Sequence, residues 1–197
     1  MRKVIVNEFM TLDGVAQAPG GADEDRSGGF AHGGWHMRDA DDELARRWVL
    51  RYLVEAGGFL LGRRTYEIFA AYWPKAPAEE QAVAGPLNSK PKYVASRTLS
   101  APLGWHNSTL LTGGVGAAVA ALKDGDGGDL HVIGSTELVR TLIGHDLVDE
   151  LRLMIDPVVV GGGKRLFPED GSLRALRLTD GQVTSTGRIL TTYARAA

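Results

Sequence analysis

The chain contains no cysteine among its 197 residues. Disulfide bonds, thiolate metal sites and a cysteine nucleophile are therefore excluded. A zinc deaminase of the type whose metal is held by cysteines is excluded by the same absence. Any chemistry must rest on other side chains or on a bound cofactor.

Long apolar runs and a charge imbalance are missing as well. The N-terminal stretch MRKVIVNEFMTLDG has no apolar segment of signal-peptide length, and no run of 18 apolar residues occurs. The 22 basic and 24 acidic residues give a formal net charge of -2, without a long run of either sign. This balance argues against binding to nucleic acid or to an anionic membrane. We expect a cytoplasmic protein whose partner is a small molecule.

Metal binding is not expected either. His32 and His36 have the i, i+4 spacing of helical metal ligands, but they lie in GGFAHGGWH, where the glycines disfavour a helix. We therefore interpret both as loop histidines on the surface.

Short apolar stretches alternate with helical patterns along the whole chain, without a repeat or a dividing linker. With 44% hydrophobic residues, the chain is long enough for one sizeable core, so we predict a single domain over residues 1–197. The alternation predicts an α/β fold with a mixed sheet flanked by helices. The C-terminal segments favour antiparallel strands at one sheet edge, with a turn at Asp180-Gly181.

A glycine-rich stretch between the first strand and the first helix reads as a long loop. It extends to about residue 38, and Asp41 and Asp42 can begin the helix that follows. Loops of this length in a compact domain are often functional lids. We expect the segment 14–38 to close only when a ligand is present, with Trp35 as a wall of the pocket.

The sequence FLLGRRTYEIF, residues 59–69, joins an apolar strand to a helix of about Thr65 to Tyr72. A helix N-terminus after a parallel strand presents unpaired N–H groups and a partial positive charge, which together bind phosphate. Gly62 would let an anion approach the backbone, and Thr65 could cap the helix. Arg63 or Arg64 could pair with a phosphate. The alternative is that both arginines are solvated surface residues.

Two further strand ends have the same design. Ser96 and Arg97 follow the strand KYVAS, and Gly134 and Ser135 lie between the strand DLHVI and a helix. Ligands of open α/β sheets bind outside the carboxyl ends of the strands, so three such ends can converge on one elongated polyanion. A dinucleotide fits this description best.

Five segments, in this order and spacing, carry a resemblance to a known family. They are TLDG, LLGRRTYEIF, KYVAS, LHVIGSTELVRTLI and LVDELRLMIDPVVVGGGKRLF, the last covering residues 147–167. The chain resembles the dihydrofolate-reductase-like superfamily, and within it the branch of the reductase domain of bacterial riboflavin biosynthesis. The resemblance covers nearly the whole chain. It implies a three-layer fold with a mixed, mostly parallel sheet of about eight strands, an NADPH cofactor and a homodimer.

The resemblance also implies roles for particular residues. Gly62, Arg63, Arg64 and Thr65 would hold the pyrophosphate and the 2'-phosphate, with Arg63 favoured for the 2'-phosphate and Arg64 for the pyrophosphate. Ser96 and Arg97 would flank the adenosine ribose phosphate, and Gly134 and Ser135 would meet the pyrophosphate. Asp13, Gly14 and Val15 would lie beside the nicotinamide and the substrate.

Two functions follow from these expectations. The first is an NADPH-dependent reductase of a small heterocyclic substrate, to which Asp13 or water would supply a proton. In dihydrofolate reductase a carboxylate inside the first long helix grips the pterin, whereas the corresponding stretch DDELARRWVLRYL offers Glu43 and then only arginines and apolar residues. Folate is therefore not the expected substrate. The second is a catalytically silent NADP(H)-binding dimer that acts as a sensor or binding protein.

Overall fold

Eight strands form a single sheet in the computed structural model, which describes residues 1–39 and 41–196. The strands are β1 Val4–Thr11, β2 Gly58–Gly62, β3 Lys92–Ala95, β4 Ser108–Leu111, β5 Leu130–Ile133, β6 Glu150–Asp156, β7 Leu176–Val183 and β8 Ile189–Arg195. Their order in the sheet is β4-β3-β2-β5-β1-β6-β8-β7. The first six strands in this order are parallel, and β8 and β7 add an antiparallel edge. The predicted sheet is confirmed.

Within the described residues, five α-helices cover the two faces of the sheet. They are α1 Glu43–Glu55, α2 Arg63–Tyr72, α3 Gln81–Ser89, α4 Val115–Asp124 and α5 Thr136–Gly144. Buried residues of α4 and α5 pack with Val4, Val6 and Leu60 on one face. Buried residues of α1, α2 and α3 pack with Phe59 and Leu61 on the other face. The fold is therefore the three-layer α/β arrangement that the sequence predicts.

Helix α1 forms where its start signal and its apolar spacing agree. Asp42 is the N-cap, and its Oδ1 accepts a hydrogen bond from the Ala45 N–H at 3.0 Å. The buried positions include Trp48 and Tyr52, whose spacing places both on one helical face. None of the described helices has the length and the apolar character that crossing a membrane requires.

Two local predictions are wrong. Helix α2 begins at Arg63 with Gly62 as N-cap, so Thr65 lies inside the first turn and does not cap it. The Asp180-Gly181 pair lies within β7, at an irregularity of the β7–β8 register. The chain reverses instead between Thr184 and Arg188, where Gly187 has φ +84° and its N–H donates to the Thr184 carbonyl. A dipeptide typical of turns is accommodated here as a bulge.

The loop between β1 and α1 has a small hydrophobic cluster of its own. Val15, Ala18, Phe30 and Trp35 are buried together against Phe9. The Gln17 side chain donates to the carbonyls of residues 25 and 27 at 3.0 Å, which holds the loop closed on itself. The apolar contacts offset part of the entropic cost of ordering the glycines, and closure of the loop on ligand binding stays a prediction.

Candidate functional site

The three strand ends that the sequence singles out are neighbours in the sheet. Strands β3, β2 and β5 are adjacent and parallel, so their carboxyl ends lie side by side at one edge. Gly62 ends β2, Ser96 follows β3, and Gly134 follows β5. The tertiary structure thus brings these residues together, as predicted from the pattern of the sequence.

Ser135 links the starts of α2 and α5. Its Oγ accepts a hydrogen bond from the Gly62 N–H at 2.8 Å and donates one to Thr65 Oγ1 at 2.7 Å. The residue has a left-handed backbone, with φ +65°. Because a non-glycine residue rarely adopts this conformation, the two hydrogen bonds explain why it is held here.

The two glycines of this edge pack closely against the side chains of Ser135 and Thr65. A Cβ on Gly62 would lie 2.8 Å from Ser135 Oγ, which is far inside van der Waals contact. Gly134 has φ +61°, and a Cβ there would lie 3.3 Å from Thr65 Oγ1. We call this surface, formed by Gly62, Thr65, Gly134 and Ser135, the strand-end cradle.

Two helix N-termini open onto the strand-end cradle. No side chain among the described residues caps the first turn of α2 or of α5. The N–H groups of these turns and the partial positive charge of each helix are therefore directed at the edge of the sheet. The donor set suits a phosphate or a pyrophosphate, so the residues present fit the phosphate portion of a dinucleotide.

The two arginines of the GRRT segment have different partners. Arg63 Nη1 lies 2.9 Å from Glu67 Oε2, one turn along α2. Arg64 Nη1 lies 3.1 Å from Asp25 Oδ1 and 2.9 Å from Ser27 Oγ, so it crosses to the loop before α1. Both side chains are partly exposed, and such ion pairs exchange partners at little cost. Their contacts with a phosphate stay a prediction.

The end of β3 carries a local turn and an exposed cation. Ser96 Oγ accepts hydrogen bonds from the N–H groups of Thr98 and Leu99, at 3.1 and 2.9 Å, which forms a local turn. Arg97 is exposed beside it. Ser96 therefore has a structural use already, and Arg97 is the cation at this end that solvent and ligands can reach.

Asp13 fixes the loop that follows β6. Its Oδ1 accepts from Thr11 Oγ1 at 2.6 Å, and its Oδ2 accepts from the Gly161 N–H at 3.0 Å. The hydrogen bond from Thr11 is the main cause that lowers the pKa of Asp13 below its usual value. An ionised carboxylate at neutral pH cannot supply a proton. The proposed proton donation by Asp13 stays untested, and this geometry favours a structural role.

The other residues expected near the nicotinamide are mostly enclosed. The Val15 side chain is fully buried, and its N–H and carbonyl are both hydrogen-bonded to Thr11. The Trp35 side chain is buried too, with its Nε1 donating to the Gln17 carbonyl at 2.8 Å. Contact between either side chain and a ligand would therefore require the loop to open. Gly14, with φ +84°, forms the turn between them and β1.

One polar residue that the motifs do not reveal is Glu8, on the core-facing side of β1. Its side chain is 4% exposed, and Oε2 has no hydrogen-bond partner among the described residues. Burial raises the pKa of this carboxyl to about 8. The signal was present in the sequence, since VIVNEF places a charge where the alternation of a strand calls for an apolar side chain.

A second group that the motifs do not reveal joins the loop to the antiparallel edge. His36 Nδ1 lies 3.1 Å from Asp156 Oδ2, and its ring stacks on Phe9 with centroids 4.1 Å apart. Arg188 Nε donates to Asp156 Oδ1 at 2.8 Å, and Arg188 Nη2 donates to the His36 carbonyl at 2.6 Å. His36 is thus a half-buried, paired side chain, and its interpretation as a surface histidine is wrong.

The network extends to the cap of α1. Thr186 Oγ1 donates to Asp42 Oδ2, and Arg188 Nη1 lies 3.6 Å from the same oxygen. Burial alone would raise the pKa of Asp42, but hydrogen bonds from Thr184 and Thr186 and the charge of Arg188 lower it to about 2. The charges at this end of the sheet are therefore paired with one another.

Comparison with known proteins agrees with this architecture. The fold is shared with a candidate riboflavin biosynthesis protein from Shewanella sp. PV-4, with a TM-score of 0.69, 20% identity and coverage of 99% of both chains. It is also shared with a pyrimidine reductase-like protein from Corynebacterium diphtheriae, with a TM-score of 0.68, 12% identity, and coverage of 100% of this chain and 92% of that one. Identities this low establish the fold alone.

The order of the strands and the strand-end cradle together define a three-layer α/β protein with an antiparallel sheet edge. Residues 2–191 match the family described as the RibD C-terminal domain, and the chain belongs to this family. Among sequence relatives, the uncharacterized protein YyaP of Bacillus subtilis is 28% identical over 194 residues, which cover 98% of this chain and 94% of YyaP. The uncharacterized protein YwjB of the same organism is 29% identical over 119 residues, which cover 60% of this chain and 63% of YwjB.

Proposed function

We propose that the protein is an NADPH-dependent reductase of a small heterocyclic substrate. The observation that carries the proposal is the strand-end cradle, where two helix N-termini without a side-chain cap meet over two closely packed glycines. Membership of the RibD C-terminal family supports the same conclusion, since the reductase domain of riboflavin biosynthesis belongs to it. When bound, NADPH would supply the hydride.

Different residues would bind different parts of the cofactor. The N–H groups at the starts of α2 and α5 would bind the pyrophosphate across Gly62 and Gly134. Arg97 and Arg63 are the cations nearest in sequence to the ends of β3 and β2, and they would pair with the 2'-phosphate. For Arg63 this requires an exchange of its exposed pairing with Glu67.

A heterocyclic substrate is supported by the structural relative from Corynebacterium diphtheriae, which is described as pyrimidine reductase-like. The proton that such a reduction consumes would come from water or from a neutral acid. Asp13 is poorly suited to this step, because the hydrogen bond from Thr11 keeps its pKa low. We place the reaction in the cytoplasm, as the sequence leads us to expect.

Binding and turnover test the proposal separately. NADPH should quench or shift the fluorescence of the four tryptophans at lower concentration than NADH, because only NADPH carries the 2'-phosphate. Loss of NADPH absorbance against a panel of pterins, pyrimidines and quinones should then identify a substrate class. Equal affinity for the two cofactors, or no binding of either, would remove the central claim. Tight NADPH binding without turnover of any compound would favour a silent sensor.

We also propose that the protein is a homodimer that pairs through β7. This strand lies at the edge of the sheet, and all eight of its residues are exposed. Leu176, Leu178 and Val183 present apolar side chains there. A long exposed edge strand with apolar side chains is a template for pairing with another chain, and proteins usually protect such edges. A second copy of this chain is the occupant that a symmetric assembly would supply.

A further inference from the structure

Glu8 lies near the same edge of the sheet as the two glycines of the strand-end cradle. It follows Val4 and Val6 on the face of β1 that packs against α4 and α5, because alternate residues of a strand share a face. In the register of the sheet, Val6 is beside Val132 of β5, and Val132 is beside Leu60 of β2. The pairing of β1 with β5 ends at Asn7 and Ile133, so Glu8 and Gly134 each follow the last paired residue of their strands, while Gly62 is the last residue of β2.

The carboxyl of Glu8 interacts electrostatically with Glu24 of the loop and with Tyr52 of α1. The loop residue Glu24 lies near enough that its charge contributes to raising the pKa of Glu8. Glu24 itself is held by hydrogen bonds from the N–H groups of Gly20 and Gly21 to its Oε2, at 2.7 and 3.1 Å. Glu8 is thus close to the loop that follows β1.

An unpartnered oxygen in this position calls for an explanation. Buried polar side chains are nearly always hydrogen-bonded, since an unpaired one bears the full cost of desolvation. Oε2 of Glu8 is one of only four such side-chain atoms among the described residues. A ligand group seated at the strand ends would remove this cost.

The protonation state of Glu8 determines which chemical group of a ligand can pair with it. Burial is the main cause that raises the pKa of Glu8 to about 8, with an opposing effect from the Phe9 N–H and a further increase from Glu24. The side chain is therefore a neutral carboxylic acid at pH 7, with one O–H donor and a carbonyl acceptor. Its complement is an amide, which offers one acceptor and one N–H donor to the same partner.

The order of the strands predicts that the carboxamide of a bound dinucleotide would lie beside Glu8. Along the edge of the sheet, the sites run from Arg97 after β3, through Gly62 and Gly134 at β2 and β5, to Glu8 on β1. A dinucleotide that lies along this row, with its 2'-phosphate at β3 and its pyrophosphate over the two glycines, brings the nicotinamide to β1. Neighbouring strands are about 5 Å apart, so Glu8 is one strand spacing beyond the pyrophosphate position.

We propose that Glu8 is a cofactor-binding residue that pairs, as a neutral acid, with the carboxamide of the nicotinamide ring. This inference rests on the proposed NADPH site and adds to it the residue that recognises the ring. Two hydrogen bonds to the carboxamide would fix the rotation of the ring about its glycosidic bond, and hence the face that it offers to a substrate. An ionised Glu8 would bind the cationic nicotinamide ring of NADP⁺ more tightly than the uncharged ring of NADPH. A neutral Glu8 does not have this preference, so it does not weaken the binding of NADPH relative to NADP⁺.

The test compares two variants against ligands that differ only at the nicotinamide end. Glu8→Gln keeps a donor and an acceptor for an amide, and Glu8→Met keeps the length of the side chain without either. The ligands are NADPH, its 3-acetylpyridine analogue, in which a methyl replaces the amide nitrogen, and adenosine 2',5'-bisphosphate, which lacks the ring. Dissociation constants from fluorescence or calorimetry provide the readout, so activity is not needed.

We expect Glu8→Met to weaken NADPH binding roughly tenfold, as the loss of a buried hydrogen-bonded pair should, and to leave adenosine 2',5'-bisphosphate unaffected. Glu8→Gln should bind NADPH within about threefold of the wild type. The wild type should also prefer NADPH to the acetylpyridine analogue, and Glu8→Met should lose that preference.

The outcomes separate this inference from the proposed function. If the wild type binds NADPH and both variants bind it equally well, the role of Glu8 is refuted while the NADPH site stands. If Glu8→Met weakens NADPH and the bisphosphate alike, Glu8 supports the fold and does not recognise the ring. If the wild type binds none of the three ligands, the NADPH site itself is refuted.

Discussion

Gly62 and Gly134 have two functions at the ends of their strands. Each is first an internal requirement, because a Cβ at either position would collide with or crowd a side chain of the neighbouring helix start. The same absence of side chains leaves the backbone open to an anion, as a phosphate site requires. Internal packing and ligand binding therefore favour the same residue here.

The charge of Arg63 gives a direct test at the scale of one residue. Arg63→Glu should weaken NADPH binding by on the order of 2 to 4 kcal/mol, because it replaces a charge-assisted hydrogen bond with repulsion of the 2'-phosphate. NADH binding should change far less. The measurement is fluorescence titration of both cofactors.

Arg51→Glu is the matched control, because Arg51 also pairs with a glutamate one turn along its own helix. It lies near the opposite end of α1 from the N-cap and should leave both affinities unchanged. Arg64→Glu tests, by the same titration, whether the second arginine of the GRRT segment contributes to NADPH binding. Equal NADPH affinity in all four proteins would show that both arginines are solvated helix residues.

Glu8 should also make the stability of the unliganded protein depend on pH. Its pKa is about 8 in the folded protein against 4.5 as the reference for the unfolded chain. Between these values the folded state binds more protons, so the free energy of unfolding should fall as pH rises from about 4.5 to 8. Over this whole pH range, the contribution of Glu8 should lower the free energy of unfolding by on the order of 5 kcal/mol. Urea unfolding at several pH values in this window provides the measurement.

Glu8→Gln is the control that isolates this effect, since every other titrating group is common to both proteins. Its stability should lack the downward slope that Glu8 adds to the wild type. Parallel pH profiles for the two proteins would mean that Glu8 ionises normally in the folded state.

At the scale of elements, lysine side chains cap the C-termini of two helices. Lys90 Nζ donates to the carbonyls of Leu53 and Ala56 at the end of α1, at 2.8 and 2.6 Å. Lys92 Nζ does the same for the Leu87 carbonyl at the end of α3, also at 2.8 Å. These helices end at the side of the sheet opposite the strand-end cradle, and their unpaired carbonyls are satisfied by cations. At the cradle the Gly62 N–H donates to Ser135 Oγ, but no side chain of the described residues accepts from the N–H groups within the first turns of α2 and α5.

The joint between α2 and α5 can be tested with Ser135→Ala. This variant should lose on the order of 1 to 3 kcal/mol of unfolding free energy, because the Gly62 N–H and the Thr65 hydroxyl both lose their partner. Thr65→Val removes only one of the two hydrogen bonds and should cost less. Urea denaturation measures both variants.

A double variant completes this test. Because Ser135 and Thr65 share a hydrogen bond, the cost of changing both should be smaller than the sum of the single costs. Additive costs would show that the two helix starts are independent of each other.

At the scale of the whole molecule, the exposed β7 edge predicts self-association. Leu178 is 55% exposed in the middle of this strand, and Leu178→Lys should break pairing by placing a charge at the interface. Sedimentation should give about twice the 21.1 kDa of one chain for the wild type and a single chain for the variant.

Val54→Lys serves as the control for this prediction. Val54 is an exposed apolar residue on α1, away from β7, and its replacement should leave the assembly intact. A monomeric wild type, or a Leu178→Lys variant that stays dimeric, would contradict pairing through β7.

The sequence by itself determined the class of fold and the place of the candidate site. Alternating strand and helix patterns predicted a mixed sheet, because periodicities of 2 and 3.6 residues depend only on local burial. Glycines after apolar strands marked Gly62 and Gly134, since strand ends and helix starts are encoded by neighbouring residues. The N-cap at Asp42 was predictable for the same reason.

Only the tertiary structure decided which side chains are partners. The contacts of Arg64 with Asp25, Ser135 with Thr65 and His36 with Asp156 join residues 39, 70 and 120 positions apart. Such pairs depend on the order of strands in the sheet, which no local pattern specifies. The same holds for Glu8, since a carboxyl within a strand becomes a buried acid with an unpartnered oxygen only when the folded chain encloses it.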